Sequence, residues 1–237
     1  MDTVPRLFIE SVCLRLLDHR SLLASTGIPS AWGEICIATR RKIHTLRVYL
    51  DVASKTIYAA AQPVLLHDYY SNAVPLDRVD LKFITNFQIK RYIPQAEGPL
   101  LSIWKEITLD DLKRLVHFIR PVRNERRPLV YDYKSLNTLR LDNRSQWVNK
   151  KLLSMRLPVD MVDLGDVEAD GFFEFAGTLY YVRYHGPDLE KSMVETLIEK
   201  FLPIDGGCFS LGQSLADEQM KRLFEKAYCR IRSLPFG

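Results

Sequence analysis

Apolar and polar positions change rhythm several times along the chain, and each change predicts an element. After Val4-Pro5, the residues Phe8, Ile9, Val12, Cys13 and Leu16 fall at spacings of one, three and four, with Leu17 widening the face. That is one side of an amphipathic helix, and Pro5 suits its first turn because no N–H is needed there. Asp18-His19-Arg20 interrupts the run. Ser21 then reads as the cap of a short second helix carrying Leu22 and Leu23, closed by Gly27 and Pro29. Ser30 reads as the cap of a third, with Trp32, Ile35, Cys36 and Thr39 inward and Arg40-Arg41-Lys42 near its C-terminus, as the helix dipole favours.

From His44 the period drops to two. Leu46, Val48 and Leu50 alternate with Arg47, Tyr49 and Asp51, which predicts a half-buried strand. A turn at Ala53-Ser54-Lys55 leads to a return strand from Thr56. Residues 62–78 read as loop, broken by Pro63, Asn72 and Pro75, and 81–93 as one strand or a pair. Thr108 with Asp111 three positions on forms a capping box ahead of Leu112, Leu115, Val116 and Ile119, and Pro121 stops that helix. Beyond it, strands are predicted at 129–133, 159–164, 178–184 and 208–211. Helices are predicted at 146–157, at 188–201 through Leu189, Met193, Leu197 and Phe201, and from Asp217 through Met220, Leu223, Phe224, Ala227 and Ile231. The strand starts recur every twenty to thirty residues, the range of a leucine-rich-type β–α unit, although the strict repeat consensus is absent.

Composition narrows the class. The 237 residues suffice for a small module plus one larger domain, or for one large domain. No apolar run is long enough for a transmembrane helix, and the start lacks a basic-then-apolar leader. Cys13, Cys36, Cys208 and Cys229 have no metal-binding spacing and read as thiols. These points favour a cytoplasmic or nuclear location. The net charge of +4 is uneven: segment 120–156 holds ten Lys and Arg against three Asp and Glu, whereas 157–237 holds eight against fourteen.

The candidate chemistry is thin. None of the five histidines pairs with another at helical ligand spacing, and nucleophile-elbow and phosphate-loop motifs are missing. His67-Asp68 is an isolated pair. The acidic run from Asp160 fails calcium-loop spacing, with Leu164 and Gly165 at its fifth and sixth positions. The expectation is therefore a protein without enzymatic activity, metal or cofactor. The basic stretch with Arg123, Arg126 and Arg127, interleaved with Tyr131, Tyr133 and Trp147, suits phosphates or an acidic partner. Without an accompanying RNA-binding signature, nucleic acid is the weaker reading.

Three short helices in about forty residues bury too little surface to stand alone. Their outer face is left to the rest of the chain or to a partner. The set Val4-Pro5, Phe8, Ile9, Val12, Leu16, Leu22-Leu23 and Trp32 resembles an F-box, and the opening Met1-Asp-Thr-Val-Pro-Arg-Leu-Phe resembles the divergent nematode families of F-box and F-box-like proteins. The resemblance implies docking on a Skp1-like adaptor of a cullin–RING ubiquitin ligase through Pro5, Phe8, Ile9, Val12, Leu16, Leu22, Leu23 and Trp32. Some of these must instead pin the module onto the chain.

The expected fold is α+β: an F-box-like three-helix module at 1–43, then an α/β recognition domain at 44–237 of alternating strands and helices, with leucine-rich-repeat-like character as one option. The expected function is a substrate receptor that recruits a protein target to the ligase, with Arg123, Arg126 and Arg127 as first target contacts. The alternatives are a non-ligase interaction scaffold with the same fold and, behind it, an RNA-associated protein using 120–156.

Overall fold

The computed structural model describes residues 4–16, 19–66, 72–119, 132, 134–169 and 171–233, of which 19–20, 66 and 229–233 are described in the backbone alone. The fold is mixed α+β. It divides into two compact units, Met1–Pro128 with Asp132–Asn137, and Leu129–Tyr131 with Thr138–Gly237.

The first unit opens with three helices, α1 (Arg6–Leu14), α2 (His19–Ser25) and α3 (Ala31–Arg40). Helix α1 ends before Leu16. Ser21 lies inside α2, which starts two residues earlier than its expected cap. Ser30 does stand at the N-cap of α3, but with φ at 79° and no capping bond from its hydroxyl.

The chain then forms β1 (His44–Asp51) and β2 (Thr56–Pro63), an antiparallel hairpin in which Leu46 faces Ala61 and Leu50 faces Ile57. Strand β3 (Ile84–Arg91) runs parallel to β1 on its other side. Strand β1 is paired on both edges and its side chains are buried on both faces, so the half-buried reading is corrected: Arg47 is 3 % exposed and Tyr49 1 %. A buried guanidinium is costly unless hydrogen-bonded, and the Arg47 Nη1 donates to Gln88 Oε1 at 2.6 Å. Tyr49 stacks on Trp104, with ring centroids 4.4 Å apart.

A short helix α4 (Pro94–Glu97) follows β3. The three-residue strand β4 (Lys105–Ile107), which the sequence pattern did not reveal, pairs with β2. Helix α5 (Leu109–Ile119) begins with the expected capping box. Asp111 N–H donates to Thr108 Oγ1 at 3.1 Å, and Thr108 N–H donates to Asp111 Oδ2 at 3.0 Å. Leu112, Val116 and Ile119 are its buried side.

The second unit is an alternation of strands and helices: β5 (Thr138–Asp142), α6 (Gln146–Ser154), β6 (Met161–Gly165), α7 (Phe172–Phe175), β7 (Tyr181–His185), α8 (Lys191–Lys200), β8 (Cys208–Leu211) and α9 (Asp217–Ser233). Its four strands are parallel and pair in chain order, so that Leu139, Val162, Val182 and Phe209 form one row, and Leu141, Leu164, Tyr184 and Leu211 another. In both rows the first three side chains are almost wholly buried.

The first described strand of this unit is at 138–142, and the strand expected at 129–133 lies outside the described residues apart from Asp132. Leu139 and Leu141 alternate with Thr138, Arg140 and Asp142, a two-residue period that carries the strand there. Of the expected stack, Leu189, Leu197 and Phe201 are buried and Met193 is half-buried, while α8 also buries Val194 and Ile198.

Candidate interaction surface

Helix α1 packs on α3, and α2 packs on α3. The close approach has a visible cause at Gly33. A Cβ there would lie 2.3 Å from the carbonyl oxygen of Ile28 and 2.9 Å from that of Thr26, so the turn between α2 and α3 folds directly over the first turn of α3. The module's interior is Ile9, Cys13, Leu22 and Cys36, continued by Ile43 and Val64, with Val4, Leu14, Leu16, Trp32 and Ile35 packed around it. Cys13 Sγ and Cys36 Sγ are 3.0 Å apart as free thiols. Burial, followed by the hydrogen bond to Cys36, pushes the Cys13 thiol up to about 12.

This interior sorts the eight residues expected to meet an adaptor. Ile9 and Leu22 face inward, 3 % and 4 % exposed. Val12, Leu16 and Trp32 are half-buried, and the Trp32 Nε1 donor, itself buried, has no hydrogen-bond partner among the described residues. Pro5, Phe8 and Leu23 face solvent. Three more large apolar side chains of the module are exposed and were not anticipated: Leu7 at 78 %, Ile28 and Ile37. Leu7 and Ile37 each precede a residue of the expected apolar face or lie one position past it, so period alone placed them on the boundary.

The second unit offers a different surface. On the strand face opposite the buried rows, Arg140, Asp163 and Arg183 align across β5, β6 and β7. Asp163 Oδ2 accepts from Arg140 Nε at 3.0 Å and lies 3.5 Å from Arg183 Nη1. Arg183 also donates to the Tyr181 hydroxyl at 2.9 Å. Both arginine side chains are about half exposed, 52 % and 47 %, so the row presents two guanidiniums over one carboxylate. The signal was present in the sequence: Leu-Arg-Leu, Val-Asp-Leu and Val-Arg-Tyr each place a charge between two core residues.

Arg123, Arg126 and Arg127, like His67 and Asp68, lie outside the described residues. A cleft of about 740 Å³ in the second unit is lined by Asn149, Lys150, Arg156, Asp166, Glu168 and Phe175 among others, and His185 is not one of them. Among the described residues there is no group of His, Cys, Asp and Glu able to hold a metal, and no helix long and apolar enough to cross a membrane. Comparison of the chain with protein-family models, with curated proteins and with solved structures found no match.

Proposed function

We propose that this chain is an F-box-like substrate receptor. Its N-terminal helices dock a Skp1-like adaptor, and its second unit, read as leucine-rich-repeat-like, holds a protein target near a cullin–RING ubiquitin ligase. The observation that carries the first half is the division of labour within α1–α3. Ile9, Cys13, Leu22 and Cys36 close the interior, while Leu7, Phe8, Leu23, Ile28 and Ile37 remain in solvent. So many large exposed apolar side chains on so small a module suit a partner surface, with aromatic and aliphatic anchors as its main source of affinity. The adaptor-facing set is then Pro5, Phe8, Val12 and Leu23 with Leu7, Ile28 and Ile37. Ile9 and Leu22 support it from inside.

The second half is supported by strand order. Strand starts at Thr138, Met161, Tyr181 and Cys208 are 23, 20 and 27 residues apart, and each strand neighbours the next in sequence. Such a protein makes and breaks no bond. It raises the concentration of target lysines at the ubiquitin-loaded enzyme.

The test is co-purification of the full chain with recombinant Skp1, against a Phe8→Asp/Leu23→Asp variant. Both side chains are about half exposed, so the variant should keep its circular dichroism and melting temperature. Retention of Skp1 by the native chain and its loss in the folded variant is the expected result. Failure of the native chain to retain Skp1 would overturn the ligase reading and leave a scaffold with the same fold.

A further inference from the structure

Cys13 and Cys36 join α1 to α3 in the interior of the N-terminal helices, in one cluster with Ile9, Leu22, Ile43 and Val64. Both are closed to solvent, at 1 and 0 % exposure. Their sulfurs stand 3.0 Å apart, nearer than the about 3.5–4.0 Å at which carbon atoms pack best, although sulfur is the larger atom. A disulfide needs about 2.05 Å, so about 1 Å of approach separates the pair from a covalent bond. The two helices are not held alike. Helix α3 buries Gly33, Cys36 and Thr39 and leads through Ile43 into the paired strand β1. Helix α1 buries only Ile9 and Cys13 of its nine residues, and its N-cap Pro5 makes no side-chain capping bond. So short a helix, with so little buried, opens at lower cost than one tied to a sheet.

We propose that Cys13 and Cys36 are a redox latch: hydrogen peroxide converts the thiol pair to a disulfide that fixes α1 to α3, and a dithiol reverses it. Hydrogen peroxide is close to water in size, so a partial opening of α1 that still excludes bulkier thiol reagents admits it. One thiol sulfur takes a peroxide oxygen, the O–O bond breaks, and a sulfenic acid and one water result. As α1 closes, the second thiol meets that sulfenic sulfur. The S–S bond forms, the S–O bond breaks, and the hydroxyl leaves with the thiol proton as a second water. Two thiols are thereby oxidised by one peroxide, which is reduced to two waters. The pairing selects the product. An isolated sulfenic acid goes on to sulfinic acid, whereas a thiol already in contact captures it first. A dithiol reopens the bond by exchange through a mixed disulfide and is itself oxidised. The latch sets how readily α1 leaves α3, whatever the module docks.

The test treats the reduced full chain with a slight excess of hydrogen peroxide, alkylates the remaining thiols in denaturant and maps the peptides by mass spectrometry. Cys13 and Cys36 should be recovered joined to each other, lighter by two hydrogens, and dithiothreitol should return both to thiols. In the oxidised chain, amide exchange across α1 should slow about tenfold, a modest share of what closing a loop of this length does to opening. A Cys208→Ser/Cys229→Ser variant should form the same bond, since neither of those sulfurs takes part. Recovery of Cys13 and Cys36 as thiols after peroxide would overturn the proposal, as would their recovery as sulfinic acids or bonded to Cys208 or Cys229. A joined pair that leaves exchange in α1 unchanged would show that the bond forms but latches nothing.

Discussion

Gly33 and Cys13 show how single residues hold the N-terminal helices together. With the Ile28 carbonyl where a Cβ would stand, Gly33→Ala must push α2 and its turn away from α3, at a cost of about 2 kcal/mol by the scale of overpacked cores. A lowered melting temperature is the expected result. An unchanged melt would show that the turn yields. The Cys13 thiol, raised from its ordinary 9.0 to about 12, stays protonated in the folded chain where the unfolded chain would ionise. Its contribution to stability is therefore complete below about 9 and lost as pH rises through about 12. Thiol-directed alkylation at pH 9 should leave Cys13 unmodified until denaturant is added. Rapid labelling of the native chain would contradict the buried pair.

At the scale of elements, α5 and α9 are set in place by their ends and their polar contacts. The backbone and hydroxyl of Thr108, and then the Arg114 guanidinium, hold the Asp111 carboxyl down to about 2. Its support for the cap is present above its ordinary 3.8 and lost as pH falls through about 2. A carbon NMR titration of Asp111 with a midpoint near 2 checks this, and a midpoint at the ordinary value would refute it. Thr108→Ala should destabilise the chain by about 1 kcal/mol. Lys226 Nζ donates to the carbonyl oxygens of Ile198, Glu199 and Phe201 at 2.8, 2.6 and 3.2 Å. Lys226→Met removes the donor to these three carbonyls at the end of α8 and should cost about 2 kcal/mol, the upper range for hydrogen bonds to a charged group. Faster amide exchange confined to α8 and α9 would be its signature.

The same elements show where sequence patterning succeeds and where it stops. The capping box was legible because Thr108 and Asp111 are local partners. The hairpin at 44–63 was legible because the period of two is a local property. Burial of Arg47 and Tyr49 was not, because it depends on β3 arriving from forty residues downstream. The outward turn of α9, with Met220 and Phe224 exposed and Leu223 and Ala227 half-buried, was not, because amphipathicity says which residues share a face and not what covers it. There the decision falls to Lys226 and to Arg222, which bridges Glu195 and Glu199 of α8. In the N-terminal helices, sequence found the apolar positions but could not divide them into interior and exterior, since Ile9 and Phe8 differ only in which side of α1 meets Cys36.

Across the whole molecule, the chain contains two kinds of order. In the first unit, β1 is paired on both sides by strands that arrive from different parts of the sequence. In the second, every strand neighbours its successor. That order separates two sets of positions. Residues 139, 162 and 182 with 141, 164 and 184 carry the core, while 140, 163 and 183 carry only charge on the opposite face. Arg140 and Arg183 are about half exposed and can change without disturbing the first set, whereas Asp163, 14 % exposed, holds the two together. A change at either arginine therefore alters the charge this face presents while the rows that carry the frame stay as they are.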